Sequence, residues 1–135
     1  MRKLVSGALA TVVVMTGMVM VTGQAAAVGS CSSPNMCLFE NNDFNKGNTN
    51  HWLDLRKTDA DLRNNYWYNG DGSQSNDSID NETSSVKNRT GCNVMLWQNV
   101  GNGGDHTKSI SGTDDGFLEN NVIGDNRLSG VEFCV

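Results

Sequence analysis

Two stretches of this sequence gather side chains that could hold a cation. Asp80-Asn81-Glu82-Thr83-Ser84-Ser85-Val86 and Asp125-Asn126-Arg127-Leu128-Ser129-Gly130-Val131 both read Asp-Asn-x-x-Ser-(Ser/Gly)-Val. Each places a carboxylate, a carboxamide and a hydroxyl within one compact turn. These are hard oxygen donors, and calcium takes six to eight such oxygens from carboxylates, amide and backbone carbonyls and water. The same residue types also close turns without any ion, because Asp and Asn bond their own backbone and Ser closes the corner. With one carboxylate per turn, calcium affinity is expected at the weak end, about 10⁻⁵–10⁻³ M.

Catalytic chemistry finds no such support. His51 and His106 are the only histidines, and neither lies in a His-Glu-x-x-His or near a Gly-x-Ser-x-Gly. Exposed, solvated positions are expected for both. Asp59/Asp61 and Asp114/Asp115 read as solvated loop carboxylates rather than acid–base pairs. Asp71-Gly72-Ser73 lacks the twelve-residue ligand spacing of an EF-hand. The expectation is a protein that is not an enzyme.

The elements that must position these groups come from the whole chain. Arg2 and Lys3 precede an apolar run from Leu4 to Val21, and Gln24-Ala25-Ala26-Ala27 offers an Ala-x-Ala cleavage site. Residues 1–27 therefore read as a secretory signal peptide. A membrane anchor is disfavoured by the short, Gly- and Thr-interrupted run. A lipoprotein reading of Val28-Gly29-Ser30-Cys31 ranks low, since it would leave three cysteines. Residues 28–135 are short enough for one domain. The chain carries a net charge of −5, which becomes −7 without Arg2 and Lys3. That charge repels phosphate backbones and argues against nucleic acid as a partner. No membrane contact is expected after cleavage, and a monomer is expected.

Cys31, Cys37, Cys92 and Cys134 form an even set in a small exported domain, which reads as two disulfides. Three connectivities exist. Cys31–Cys37 with Cys92–Cys134 is favoured, the second link tying the start of the second half to the C-terminus. Metal binding by these cysteines lacks Cys-x-x-Cys pairs or nearby histidines.

Short apolar runs separated by turn residues indicate an all-β sandwich or barrel. Strands are expected at 36–40, 52–56, 92–98, 108–111 and 131–134, with one helical turn at 59–63. Tyr66-Trp67-Tyr68 reads as core packing. Residues 69–78 read as an inserted polar loop, 99–104 as a glycine-rich turn and 114–116 as a turn. Aligning Leu38-Phe39-Glu40 with Leu96-Trp97-Gln98 makes the chain an internal duplication, with about a dozen extra residues in the first half between Thr58 and Ser78. Two equivalent four-strand modules about a pseudo-twofold axis follow, roughly 35–90 and 91–135.

The chain resembles the βγ-crystallin fold in its small secreted bacterial form. Each Greek key there carries an early aromatic-x-x-x-x-aromatic-x-Gly hairpin and a later (Asn/Asp)-(Asn/Asp)-x-x-(Ser/Thr)-Ser turn. Phe39 and Phe44 fit the first hairpin, with Gly47 one position late. Trp97 and Gly104 fit the second, with Asn102 at the second aromatic position. The turn at 80–85 is complete, and that at 125–130 ends in Gly130. Within that fold, Cys-x5-Cys-Leu-Phe-Glu, the Asp-Asn turn, Thr90-Gly91-Cys92 and Val-Glu-Phe-Cys are similar to the Streptomyces metalloproteinase inhibitor family. That resemblance implies a βγ-crystallin-like sandwich of two Greek-key motifs with two disulfides, secreted by an actinobacterium. It implies inhibition of a secreted, thermolysin-like metalloprotease, with a calcium-binding structural or stress protein, or a killer-toxin-like effector, as alternatives. It also implies a calcium ligand set of Asp80, Asn81, Ser84, Asp125, Asn126 and Ser129, with backbone carbonyls near Glu40 and Gln98. No reactive-site loop is matched residue by residue. Tyr68–Asp77 and Gly101–Asp115 are the two segments able to reach a protease cleft, and simple surface loop is the favoured reading of each.

Overall fold

The computed structural model of the protein describes residues 31–135. The expected leader over residues 1–27 lies outside them. β1 (Met36–Phe39) and β2 (Trp52–Leu55) pair antiparallel, with Met36 opposite Leu55 and Phe39 opposite Trp52. Strand periodicity explains their burial. Met36, Leu38, Leu53 and Leu55 face the core, while Trp52 and Asp54 point the other way and are half-buried. β1 is buried along its whole length and is the central strand, paired on its two edges with β2 and β5 (Ser85–Asn88).

β3 (Tyr66–Tyr68) and β4 (Gln74–Ser78) extend this sheet, and β8 (Asp114–Asp115) closes its far edge, giving the order β4-β3-β2-β1-β5-β8. The second sheet has the order β7-β6-β9, from β6 (Val94–Asn99), β7 (Gly103–Ser109) and β9 (Gly130–Phe133). Leu38, Trp67, Ile79, Val86, Leu96, Leu118, Ile123, Leu128 and Val131 belong to one buried cluster supplied by both halves. Each such burial contributes about 1.5–3 kcal/mol. Both favoured disulfides are present, Cys31–Cys37 and Cys92–Cys134. The Cys31 sulfur is thus committed to Cys37, which removes the lipoprotein reading.

The two halves exchange edges. β8 of the second half pairs with β5 of the first, Val86 opposite Asp115. In return Asp59 bridges Val131 on β9, with reciprocal backbone hydrogen bonds of 2.9 and 2.7 Å. This swap makes the duplication one structure.

Four sequence expectations need correction. Residues 69–78 are a loop only over 69–73: Gln74–Ser78 is β4, which forms a hairpin with β3 on the edge of the first sheet. Its outer strand, Gln-Ser-Asn-Asp-Ser, covers no core and so lacks the apolar alternation that marks a strand. β7 begins at Gly103, within the expected turn, and Asp114–Asp115 is a strand. The sheets hold six and three strands rather than two equal modules, because the hairpin adds to one sheet and β8 crosses to it. The expected helical turn is a 3-10 turn at Leu62–Asn64, capped by the Asp61 carboxylate accepting from Arg63 N–H. Among the described residues, no helix is long and apolar enough to cross a membrane.

Candidate functional site

The two Asp-Asn turns meet and cross. Asn81 and Asn126 both adopt left-handed backbone, φ 60° and 52°, a conformation Asn tolerates better than most residues. That geometry turns each N–H toward the opposite motif: Asn81 N–H donates to Leu128 O at 2.9 Å, and Asn126 N–H donates to Thr83 O at 3.2 Å. The serines cross in the same way. Ser84 Oγ donates to Asn126 Oδ1 at 3.1 Å, and Ser129 Oγ donates to Asn81 Oδ1 at 3.4 Å. Each turn is also fixed to its own early strand, Ser84 N–H to Phe39 O at 3.0 Å and Ser129 N–H to Trp97 O at 2.9 Å.

An open pocket of about 490 Å³ lies on one side of this crossing, lined by Glu40, Asn41, Asn42, Asn81, Glu82, Ser84, Asp125 and Asn126. Five predicted residues converge there: Glu40, Asn81, Ser84, Asp125 and Asn126. The structure adds Asn41, Asn42 and Glu82, which sequence reasoning missed. Glu82 is legible as an unspecified position of the first turn; Asn41 and Asn42 follow the early strand and are specified by no motif in the sequence. Asp80, Ser129 and Gln98 do not line this pocket. Ser129 serves the opposite half of the crossing, and Gln98 Oε1 accepts from Asp105 N–H at 3.2 Å.

The donor set suits a hard cation. Asp125 Oδ1 and Asn42 Oδ1, both from pocket-lining residues, are buried without a hydrogen-bond partner, an unfavourable state for a polar atom that a bound ion would relieve. Oxygens binding one calcium at 2.3–2.6 Å sit about 3 Å from each other, close to the 3.1 Å between Ser84 Oγ and Asn126 Oδ1. The halves are not equivalent, however. Glu40 and Glu82 of the first correspond to Gln98 and Arg127 of the second, so a guanidinium stands where the first clamp has a carboxylate.

The loop after β1 shows how the pocket is held. Asp43, Phe44 and Asn45 are all left-handed, φ 53°, 59° and 59°, which costs about 1–3 kcal/mol each unless surrounding contacts enforce it. They do. Phe44 N–H donates to Ser85 Oγ at 3.1 Å, and Ser85 Oγ donates to Asn41 O at 2.6 Å. Phe44 packs edge-on against Phe39, with the Lys87 ammonium 4.3 Å from its ring centroid. In the second half Asn102 has the same φ, 59°. A Cβ on Gly130 would sit 3.0 Å from Asn102 Oδ1. Asn102 thus fills the space beside Gly130 that a serine side chain would need, but its Oδ1 makes no hydrogen bond there.

The remaining candidates resolve into structural roles. His106 is exposed and packs over Trp97 at 4.6 Å between ring centroids. His51 departs from the solvated position expected of it. It is half-buried, with Nδ1 2.8 Å from Glu40 Oε2. Asp59 accepts from Asp61 N–H and Asn65 Nδ2, and Asp61 pairs with Arg63, whose hydrogen bonds hold the Asp61 carboxyl below its ordinary value. Asp114 pairs with Arg89, and Asp115 accepts from Phe117 N–H and Asn121 Nδ2. Of the two protruding segments, Tyr68–Asp77 is the β3–β4 hairpin. Its tip is set by Asp71 Oδ1 accepting from Ser73 N–H at 2.8 Å, and by Gly70 N–H donating to Asn50 Oδ1 at 2.8 Å. Gly101–Asp115 holds β7, the turn after it and β8.

A sequence profile described as peptidase inhibitor family I36 matches residues 24–109. This chain belongs to peptidase inhibitor family I36. A search of curated proteins by sequence gives no match. The I36 chain is similar in structure to a βγ-crystallin from an archaeon, at TM-score 0.54 and 14% identity, covering 73% of this chain and 95% of that one. A βγ-crystallin from Ciona intestinalis matches at TM-score 0.54 and 19% identity, over 73% and 98%. A structure determined for the evolution of the eye-lens βγ-crystallin domain fold matches at TM-score 0.59 and 14% identity, over 79% and 91%. At these identities the likeness establishes the fold alone. The family places a peptidase inhibitor on a βγ-crystallin-like all-β scaffold with two disulfides.

Proposed function

We propose that this chain is a secreted, non-catalytic inhibitor of a thermolysin-like metallopeptidase, working as one domain over residues 28–135 after removal of residues 1–27. Membership of family I36 carries the inhibitor reading. The metallopeptidase target rests on the resemblance of the Cys-x5-Cys-Leu-Phe-Glu start, the Asp-Asn turn and the Val-Glu-Phe-Cys end. Export agrees with two disulfides, which persist in oxidising compartments. A tightly cross-linked β scaffold suits inhibition, because a pre-ordered surface loses little entropy on docking. The test is a panel of metallo-, serine and cysteine peptidases assayed with micromolar protein. Inhibition confined to the metallopeptidases is expected. Inhibition of another class alone would move the target, and none at all would sink the reading.

We propose further that the pocket at the turn crossing holds calcium. Its supports are the Ser84–Asn126 bond, the buried Asp125 and Asn42 oxygens without partners, and Glu40, Glu82 and Asp125 around one opening. Arg127 disfavours an equal second site. Calorimetric titration is expected to show one dominant calcium per chain and an upward thermal shift. No heat together with no shift would remove calcium from the account.

A further inference from the structure

A second donor cluster lies beside that crossing and differs from it in chemistry. One ligating atom each from Glu40, His51 and Asp77 lies within 4.8 Å of the others. We propose that these three side chains form a binding site for a zinc-class divalent cation. The site shares Glu40 with the oxygen-only clamp and adds His51 and Asp77, which do not line that pocket.

The three residues come from three segments that the fold brings together. Glu40 follows β1 and His51 precedes β2, and they face each other just beyond the Phe39–Trp52 pair, with Glu40 N–H donating to His51 O at 3.2 Å. Asp77 comes from β4 of the inserted hairpin. His51 is fixed before any ion arrives. Its backbone is left-handed, φ 62°. Its N–H donates to Tyr68 O at 2.7 Å, and its carbonyl accepts from Asn45 Nδ2 at 2.8 Å. Its ring lies parallel to that of the fully buried Trp67, 6.3 Å between centroids and 6° between planes.

Charge favours a cation as the missing partner. Among the described residues, the Lys and Arg ion pairs engage Asp43, Asp61 and Asp114, so none neutralises Glu40 or Asp77. The ligand types narrow the choice. An imidazole with two carboxylates suits zinc and its neighbours, whereas calcium takes oxygen alone. Zinc bonds His and carboxylate at about 2.0–2.2 Å in a tetrahedron, whose donors stand about 3.3 Å apart. The three donors lie within 4.8 Å of one another before any ion is bound, and water would supply the fourth. The second half has no counterpart, since Gln98 and Asp105 occupy the facing positions there. The site therefore belongs to the insertion. An ion in it would clip β4 to the β1–β2 loop, close to where the hairpin tip rests on Asn50.

The test is calorimetric titration of zinc into calcium-free protein at neutral pH, repeated after calcium saturation to read the competition for Glu40. One zinc per chain is expected. Removing a direct ligand should cost at least what losing a ligand's own support costs, so His51→Asn and Asp77→Asn should each weaken binding roughly tenfold or more. Asn suits the left-handed backbone at position 51, and Asp77→Asn keeps side-chain shape on an edge strand, so the second variant stays informative if the first unfolds. His106→Asn should bind as wild type. No zinc binding, or binding that Asp77→Asn leaves unchanged, would overturn the proposal.

Discussion

At residue scale, Ser85 and Gly130 occupy matching positions, and only Ser85 supplies a bridging hydroxyl. Ser85 is fully buried, and its hydroxyl joins Phe44 N–H to Asn41 O. Ser85→Ala leaves both groups without that partner and should cost about 1–3 kcal/mol, measured by denaturant unfolding. A cost near zero would mean that the left-handed loop is held by other contacts. In the sequence, Asn102 and Gly130 read as two separate departures from a pattern. Their proximity was not legible, because it depends on contact between residues far apart in the chain. Asp54 gives a pH prediction. Burial raises its carboxyl above the ordinary value of 3.8, against the lowering effects of the Asn35 hydrogen bond and Arg56. A raised folded value means that Asp54 favours the fold most when protonated, and that its contribution is lost as pH rises through that value. Asp54→Asn should therefore gain stability relative to wild type between acidic and neutral pH, and match it at the acidic end. An unchanged difference across that range would refute the assignment. At the turns, Arg127→Glu should strengthen a second calcium event in calorimetry, since it restores the carboxylate found at Glu82.

At the scale of elements, the β3–β4 hairpin is the main addition to the duplicated plan. Its presence as extra length was legible from the unequal spacing of the halves. Its strand character was not, because an edge strand of Gln, Ser, Asn and Asp carries no apolar period. Tyr66-Trp67-Tyr68 did signal core packing, and Trp67 anchors the hairpin. It is fully buried, and its Nε1 donates to Glu82 Oε2 at 3.2 Å, linking the hairpin to the first Asp-Asn turn. Trp67→Ala should cost about 3–5 kcal/mol. It should also weaken calcium binding, since Glu82 loses the group that orients it. A loss of stability with an unaltered calcium isotherm would separate the hairpin from the pocket.

Across the whole molecule, two Greek keys are locked by exchanged edges, crossed turns and two disulfides. The all-β class, the duplication, both cysteine pairs and most of the pocket's residues were legible, because each is written locally as period, spacing or turn chemistry. The unequal sheets were not, because β8 and Asp59 pair with the opposite half through only one or two residues each. In the loop-entropy account, the Cys92–Cys134 link, spanning 42 residues, contributes about 4 kcal/mol and Cys31–Cys37 about 2 kcal/mol. Replacing the first pair with Ser should therefore lower the unfolding midpoint more than replacing the second. That cross-linked frame matters to function only if it presents a surface that a peptidase accepts as a partner. The most direct measurement is a titration of purified protein into a thermolysin-like metallopeptidase at fixed substrate, with a serine peptidase alongside. The account predicts a stoichiometric fall in metallopeptidase activity and none in the control. Undiminished metallopeptidase activity at micromolar protein would contradict it.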